Sequence, residues 1–229
     1  METNNKINDV LKIISQGRER TNILKKHEQR LIAYLVQHIP SWISSDILTT
    51  IGFSGNVIVF LSFLLAVYVN KYLLLLNVIG FIISWFGDSL DGRVAYYRKK
   101  PRKWYGFSLD LTTDWLGTIL IGLGFVVYSD RISMFIGFLF VVMYGWEMIT
   151  TLLRYKITDK YSIDSGIFGP TEVRILISMI LVIEVIFPGS IRYFSAMACL
   201  ILMIANIVDF KKLLKLADQR DNEERRTDS

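Results

Sequence analysis

Cysteine, histidine and proline are scarce in this chain: its 229 residues include one Cys, two His and four Pro. Cys199 has no partner thiol, which excludes a disulfide scaffold. One thiol and two imidazoles also argue against a zinc site. The first thirty residues lack an apolar signal core, so no cleavable signal peptide is expected. Internal repeats, low-complexity tracts and a nucleic-acid recognition motif are missing too. Charge itself is absent over long stretches: Lys71 is the only charged residue between positions 47 and 87, and none occurs between 193 and 208. What remains is 52% hydrophobic and 13% aromatic, with a mean hydropathy of +0.39. That is too apolar for an ordinary soluble domain and fits a polytopic membrane protein.

Apolar runs at 47–69, 72–87, 111–128, 132–151, 173–187 and 190–208 predict six transmembrane helices in an all-α fold. The expected organisation is a cytoplasmic N-terminal segment (1–46), a six-helix catalytic domain (47–208) and a charged cytoplasmic tail that frays (209–229). With the N-terminus inside, the cytoplasmic segments hold 7 Lys+Arg before position 46, 6 from 88 to 110, 3 from 152 to 172 and 6 after 209, or 22 of 26. The opposite loops hold only Lys71, Arg131 and Arg192. This bias orients both termini inward, with an inner cell membrane as the expected location, and accounts for the net charge of +5 without a nucleic-acid partner. Before the first span, Leu24, His27, Leu31, Leu35 and Ile39 recur at helical spacing beside charged residues. They predict an amphipathic helix along the interface, ending near Pro40, with Trp42 at headgroup depth.

One stretch interrupts this pattern: Gly87-Asp88-Ser89-Leu90-Asp91-Gly92-Arg93-Val94-Ala95-Tyr96, followed by Gly106-Phe107-Ser108-Leu109-Asp110-Leu111-Thr112-Thr113-Asp114. Spacings of three and four put Asp88 with Asp91, and Asp110 with Asp114, on shared helix faces. An antiparallel hairpin then brings both pairs to the same depth at the cytoplasmic edge. Four carboxylates gathered there repel one another and are costly to keep ionised unless a cation binds. Oxygen ligands alone select a hard ion, Mg²⁺ or Mn²⁺, which commonly shares its shell with substrate phosphates. The basic loop 98–103 between the pairs can attract a polyanion or simply follow the positive-inside bias. Gly92, Ala95 and Gly106 allow either close helix packing or a ligand flat against the backbone.

Residues 88–114 resemble the signature of the CDP-alcohol phosphotransferase family, D-x2-D-G-x2-A-R, eight or nine residues, then G-x3-D-x3-D. Seven of its eight fixed positions are met, by Asp88, Asp91, Gly92, Ala95, Gly106, Asp110 and Asp114. Tyr96 stands where the family has an arginine that would help hold the substrate diphosphate; Arg93 or Arg98 is a candidate substitute. Ser45-Asp46-Ile47-Leu48-Thr49 is similar to the family's Pro-Asn-x-x-Thr helix start, with its first two residues replaced.

The resemblance implies transfer of a substituted phosphate from a CDP-linked alcohol to an acceptor alcohol, one of the two a lipid, with release of CMP. It implies two metal ions on Asp88, Asp91, Asp110 and Asp114, with Asp114 also the base. A nucleotide would pack against Gly92, Ala95 and Gly106 near Asp46 and Thr49, and the assembly would be a homodimer. Glu172, Arg174 and Arg154 are candidates for binding the acceptor or a phosphate, while the intramembrane Glu147 and Glu184 are expected to snorkel. Two other classes compete: a prenyltransferase, which would use more widely separated aspartate motifs, and a cation transporter, whose carboxylates would sit near the midplane on broken helices.

Overall fold

The computed structural model describes Val10, Leu11, Ile13 and residues 24–131, 133–158 and 169–227. Among these, all regular structure is helical. After α1 (Lys25–His38) come α2 (Ser45–Tyr68), a short 3₁₀ segment (Lys71–Leu75), α3 (Leu76–Tyr97), α4 (Lys103–Tyr128), α5 (Met134–Thr158), α6 (Pro170–Ile186) and α7 (Ile191–Thr227). Among the described residues, five helical stretches are long and apolar enough to cross a membrane: Ser45–Tyr68, Lys71–Tyr97, Lys103–Tyr128, Met134–Thr158 and Ile191–Thr227. The remaining expected span, α6, has 17 residues. At 1.5 Å per residue it is about 25 Å long, short of a hydrocarbon core of roughly 30 Å.

The helices overrun their apolar stretches because backbone hydrogen bonding continues where hydropathy stops. α3 carries the first aspartates on to Tyr97, and α4 begins at Lys103, seven residues before Asp110. The tail departs most from expectation, since α7 continues to Thr227 instead of fraying after 209. Arg220 accounts for much of this. Its guanidinium donates to the carbonyls of Lys156 (2.9 Å) and Ile157 (2.6 Å) at the end of α5 and pairs with Glu224 one turn on (2.9 Å). The terminal carbonyls of α5 thereby gain partners, and the charged extension gains a neighbour.

A small-residue seam joins α2 to α3. A Cβ on Gly52 would stand 3.0 Å from Asp88 N, and one on Gly80 would stand 2.8 Å from Gly55 O. Such close backbone approach gives membrane helices dispersion contacts that larger side chains would prevent. On α4, a Cβ at Gly117 would press into the Asn56 amide. These contacts draw α2, α3 and α4 around the aspartate-bearing ends.

Two apolar clusters flank that region. One gathers Phe63, Leu74, Phe81, Leu181 and Ile191; the other gathers Ile32, Ala33, Val36, Leu48, Leu90 and Val94 beneath α1. The packed face of α1 overlaps the expected stripe only in part: Leu35 and Ile39 pack against this second cluster, whereas Leu31 is 47% exposed and His27 also faces outward. Glu28 helps set this rotation, accepting from Trp85 Nε1 (3.2 Å) on α3 and Thr171 Oγ1 (2.8 Å) on α6. Glu184 departs from snorkelling as well. It is buried and accepts from Tyr128 Oη (3.0 Å), Gly189 N (2.9 Å), Ser190 Oγ (3.2 Å) and Ile191 N (2.8 Å), fastening the α6–α7 turn. The carboxylate oxygens of Glu147 are likewise buried.

Candidate active site

Asp88 on α3 and Asp110 and Asp114 on α4 each offer a carboxylate oxygen, and these oxygens lie within 4.8 Å of one another. The pairing expected from spacing holds for Asp110 and Asp114, which four residues of α-helix separate by about 40° of rotation. Asp88 and Asp91 splay further, because three residues leave roughly 60° between their directions. Asp88 faces α4, whereas Asp91 faces α2 and accepts from Thr49 Oγ1 at 2.7 Å and from Gly92 N. Asp91 thus stands outside the three-carboxylate group, although all four aspartates line one small cavity.

Thr49, Gly52, Phe53, Asn56, Ser84 and Thr113 complete the lining. Ser84 precedes Asp88 by one turn, with a buried Oγ that has no hydrogen-bond partner in the structure. Asn56, Phe53, Ser84 and Thr113 were not anticipated as site residues. For the residues on α2 and α3 the signal is the Gly52/Gly55 and Gly80/Gly87 spacing, which marks the faces that meet; Thr113 adjoins Asp114 on α4. Three carboxylates at this separation, with further oxygen donors nearby, form a donor set suited to a hard divalent cation.

The remaining candidates occupy several places. Arg174, from the first turns of α6, donates Nη2 to Asp88 Oδ2 at 2.7 Å and so belongs to the cluster. Asp46 lies nearer the mouth, paired with Arg102, while Ser45 Oγ donates to the Asp91 carbonyl (3.0 Å). Gly106 is open: a Cβ there would meet no described atom within 4 Å. Gly92 and Ala95 are partly exposed.

Other charged candidates engage backbone or one another. Arg93 is buried and donates to the Ser89 carbonyl. Arg98 donates to the carbonyls of Ile39 (3.1 Å), Pro40 (2.9 Å) and Ile43 (2.5 Å), clamping the chain between α1 and α2. Glu172 accepts from Gly169 N (3.0 Å) and Leu24 N (3.1 Å), capping α6 and holding the start of α1. Arg154 pairs with Asp209 (3.5 Å), to which Lys212 also donates (3.1 Å), tying α5 to α7.

The cluster therefore offers acidic oxygens for a cation and a guanidinium, while the open backbone of Gly106 lies outside the cavity lining, four residues before Asp110 on α4. A search of curated proteins finds no match. The family model for CDP-alcohol phosphatidyltransferase, however, matches residues 42–210, about three quarters of the chain and all of the elements that build this cavity. On that match, the chain belongs to the CDP-alcohol phosphatidyltransferase family.

Proposed function

We propose that the protein transfers a substituted phosphate from a CDP-linked alcohol to an acceptor alcohol during phospholipid synthesis, releasing CMP. The observation that carries this reading is the convergence of Asp88, Asp110 and Asp114 within 4.8 Å at the mouth of an apolar helix bundle. Two divalent ions, Mg²⁺ or Mn²⁺, held by these three aspartates and Asp91 would neutralise the charge developing on the departing CMP.

The chain's own residues supply the rest. The hydrogen bond from Thr49 keeps Asp91 oriented toward the cavity wall. Asp114 accepts the acceptor hydroxyl's proton as that oxygen bonds to the phosphorus bearing the donated alcohol. The bond from this phosphorus to the bridging oxygen breaks, and CMP keeps that oxygen. The open face at Gly106 receives the nucleotide, together with Gly92, Ala95, Asp46 and Thr49. Arg174 is the guanidinium best placed for a phosphate, since it reaches the aspartates from α6. Arg93 and Arg98, each bonded to backbone, are less suited to take over the motif arginine that Tyr96 replaces.

A site at the membrane edge lets a soluble substrate meet a lipid whose chains remain in the bilayer. The positive bias of the flanking segments supports a cytoplasmic site with both termini inside, in an inner cell membrane; a sixth span formed by α6 and a homodimeric assembly complete the proposal. Asp114→Asn is expected to abolish CMP release while leaving thermal unfolding within a few degrees of the parent. Near-normal turnover by this variant would reject the assigned role.

A further inference from the structure

Arg174 and the aspartates pose a competition that goes beyond the proposed transfer, although it rests on the metal-site part of that reading. Asp88 belongs to the group of three carboxylates suited to a divalent cation, yet one of its oxygens already accepts Arg174 Nη2 at 2.7 Å. The pair is well shielded, with side-chain exposures of 16% for Arg174 and 25% for Asp88. Asp114 and Tyr144 also lie within electrostatic reach of the guanidinium. Three carboxylates so close together need positive charge to coexist, and in the absence of metal Arg174 provides it. With a dication held by the same cluster, the carboxylates would no longer need the guanidinium and the like charges would repel.

The surroundings of Arg174 allow it to change partner. The start of α6 is fastened, because Glu172 accepts from Gly169 N and Leu24 N, and Thr171 donates to Glu28. The backbone at position 174 is therefore held, so a change of partner falls to the long side chain. A guanidinium presents the same planar fork of donors to a carboxylate and to a phosphate.

We infer that Arg174 is an exchangeable counter-ion: it neutralises Asp88 while the metal is absent and moves to a phosphate oxygen of the CDP-linked substrate once a divalent cation is bound. This arrangement opposes metal binding and favours substrate binding. Loss of the arginine then has effects of opposite sign on the two, which neither a purely structural arginine nor a simple phosphate ligand would produce.

The test uses the full chain in detergent, with free Mn²⁺ titrated by electron paramagnetic resonance in the absence of nucleotide. Arg174→Gln is expected to bind Mn²⁺ at least about tenfold more tightly than the parent, equivalent to about 1.4 kcal/mol of lost competition. Arg174→Lys, which keeps the charge but loses the fork, is expected to bind about threefold more tightly. In turnover at saturating Mn²⁺, both variants should raise KM for the CDP-linked alcohol more than they lower kcat. Unchanged or weaker Mn²⁺ binding by both variants, with the parent binding normally, overturns the counter-ion inference and leaves the metal site standing. Absence of Mn²⁺ binding by the parent at millimolar concentration overturns the metal site and the inference together.

Discussion

Gly106→Ala separates ligand contact from folding more cleanly than any other single change in the cavity region. A methyl group at this position meets no described atom within 4 Å, so the substitution has room in the ligand-free protein. It also removes a helical glycine from α4, which favours the folded state by up to about 0.5–1 kcal/mol. The melting temperature should therefore hold or rise slightly. If the nucleotide lies against this backbone, the added methyl intrudes on the bound ligand, an overpacking cost of about 1–3 kcal/mol. Expressed as binding, that is roughly a 5- to 160-fold rise in KM for the CDP-linked alcohol. The assay is CMP release against donor concentration, paired with a melting curve. Gly87→Ala supplies the contrast, for its Cβ would stand 2.5 Å from Gly52 Cα and also strike Gly52 N and Leu48 O, all of them backbone. Helices α2 and α3 would have to part, lowering the melting temperature and displacing Asp88, the next residue. A Gly106→Ala protein with normal stability and KM within twofold of the parent would refute the placement of the nucleotide.

Other expectations follow from contacts away from the cavity. Glu184→Ala strands the backbone N–H groups of Gly189 and Ile191 and the Tyr128 hydroxyl; a cost of about 3 kcal/mol should lower the melting temperature by roughly 5–10 °C. Arg220→Ala removes the link from α7 to the last carbonyls of α5, so limited proteolysis should cut beyond position 209 faster while CMP release stays near the parent value. Glu28→Ala should release α1 from Trp85 and Thr171, seen as faster proteolysis between 24 and 43; unchanged protection would mean that the apolar contacts of Ile32, Ala33 and Val36 suffice.

The aspartates were legible because helical spacing constrains direction strongly. Even the splay of Asp91 away from Asp88 follows from 100° per residue, though its partner Thr49, 42 positions away, could not be read from periodicity. Charged residues near helix ends were harder. Arg98 and Glu172 look like ligand-binding groups in the sequence, yet such positions equally suit capping of exposed carbonyls and amides, and the structure uses both in that way. The tail was misread for a related reason: its charge pattern resembles a solvated segment, while the Arg220–Glu224 pair and the reach of Arg220 to α5 support a helix. On α1 the recurring apolar positions include Leu35 and Ile39, which pack against the bundle, whereas the buried Glu28 finds its partners only in the tertiary structure.

The stoichiometry of a single reaction discriminates phosphotransfer from the rival activities. Purified protein, given a radiolabelled CDP-linked alcohol, a lipid or small-alcohol acceptor and Mn²⁺, should form one CMP for each labelled phosphodiester. Both products should disappear on chelation of the metal and in Asp114→Asn. Metal-dependent cation flux in vesicles without CMP, or turnover of an isoprenyl diphosphate in place of the CDP-linked alcohol, would contradict the account.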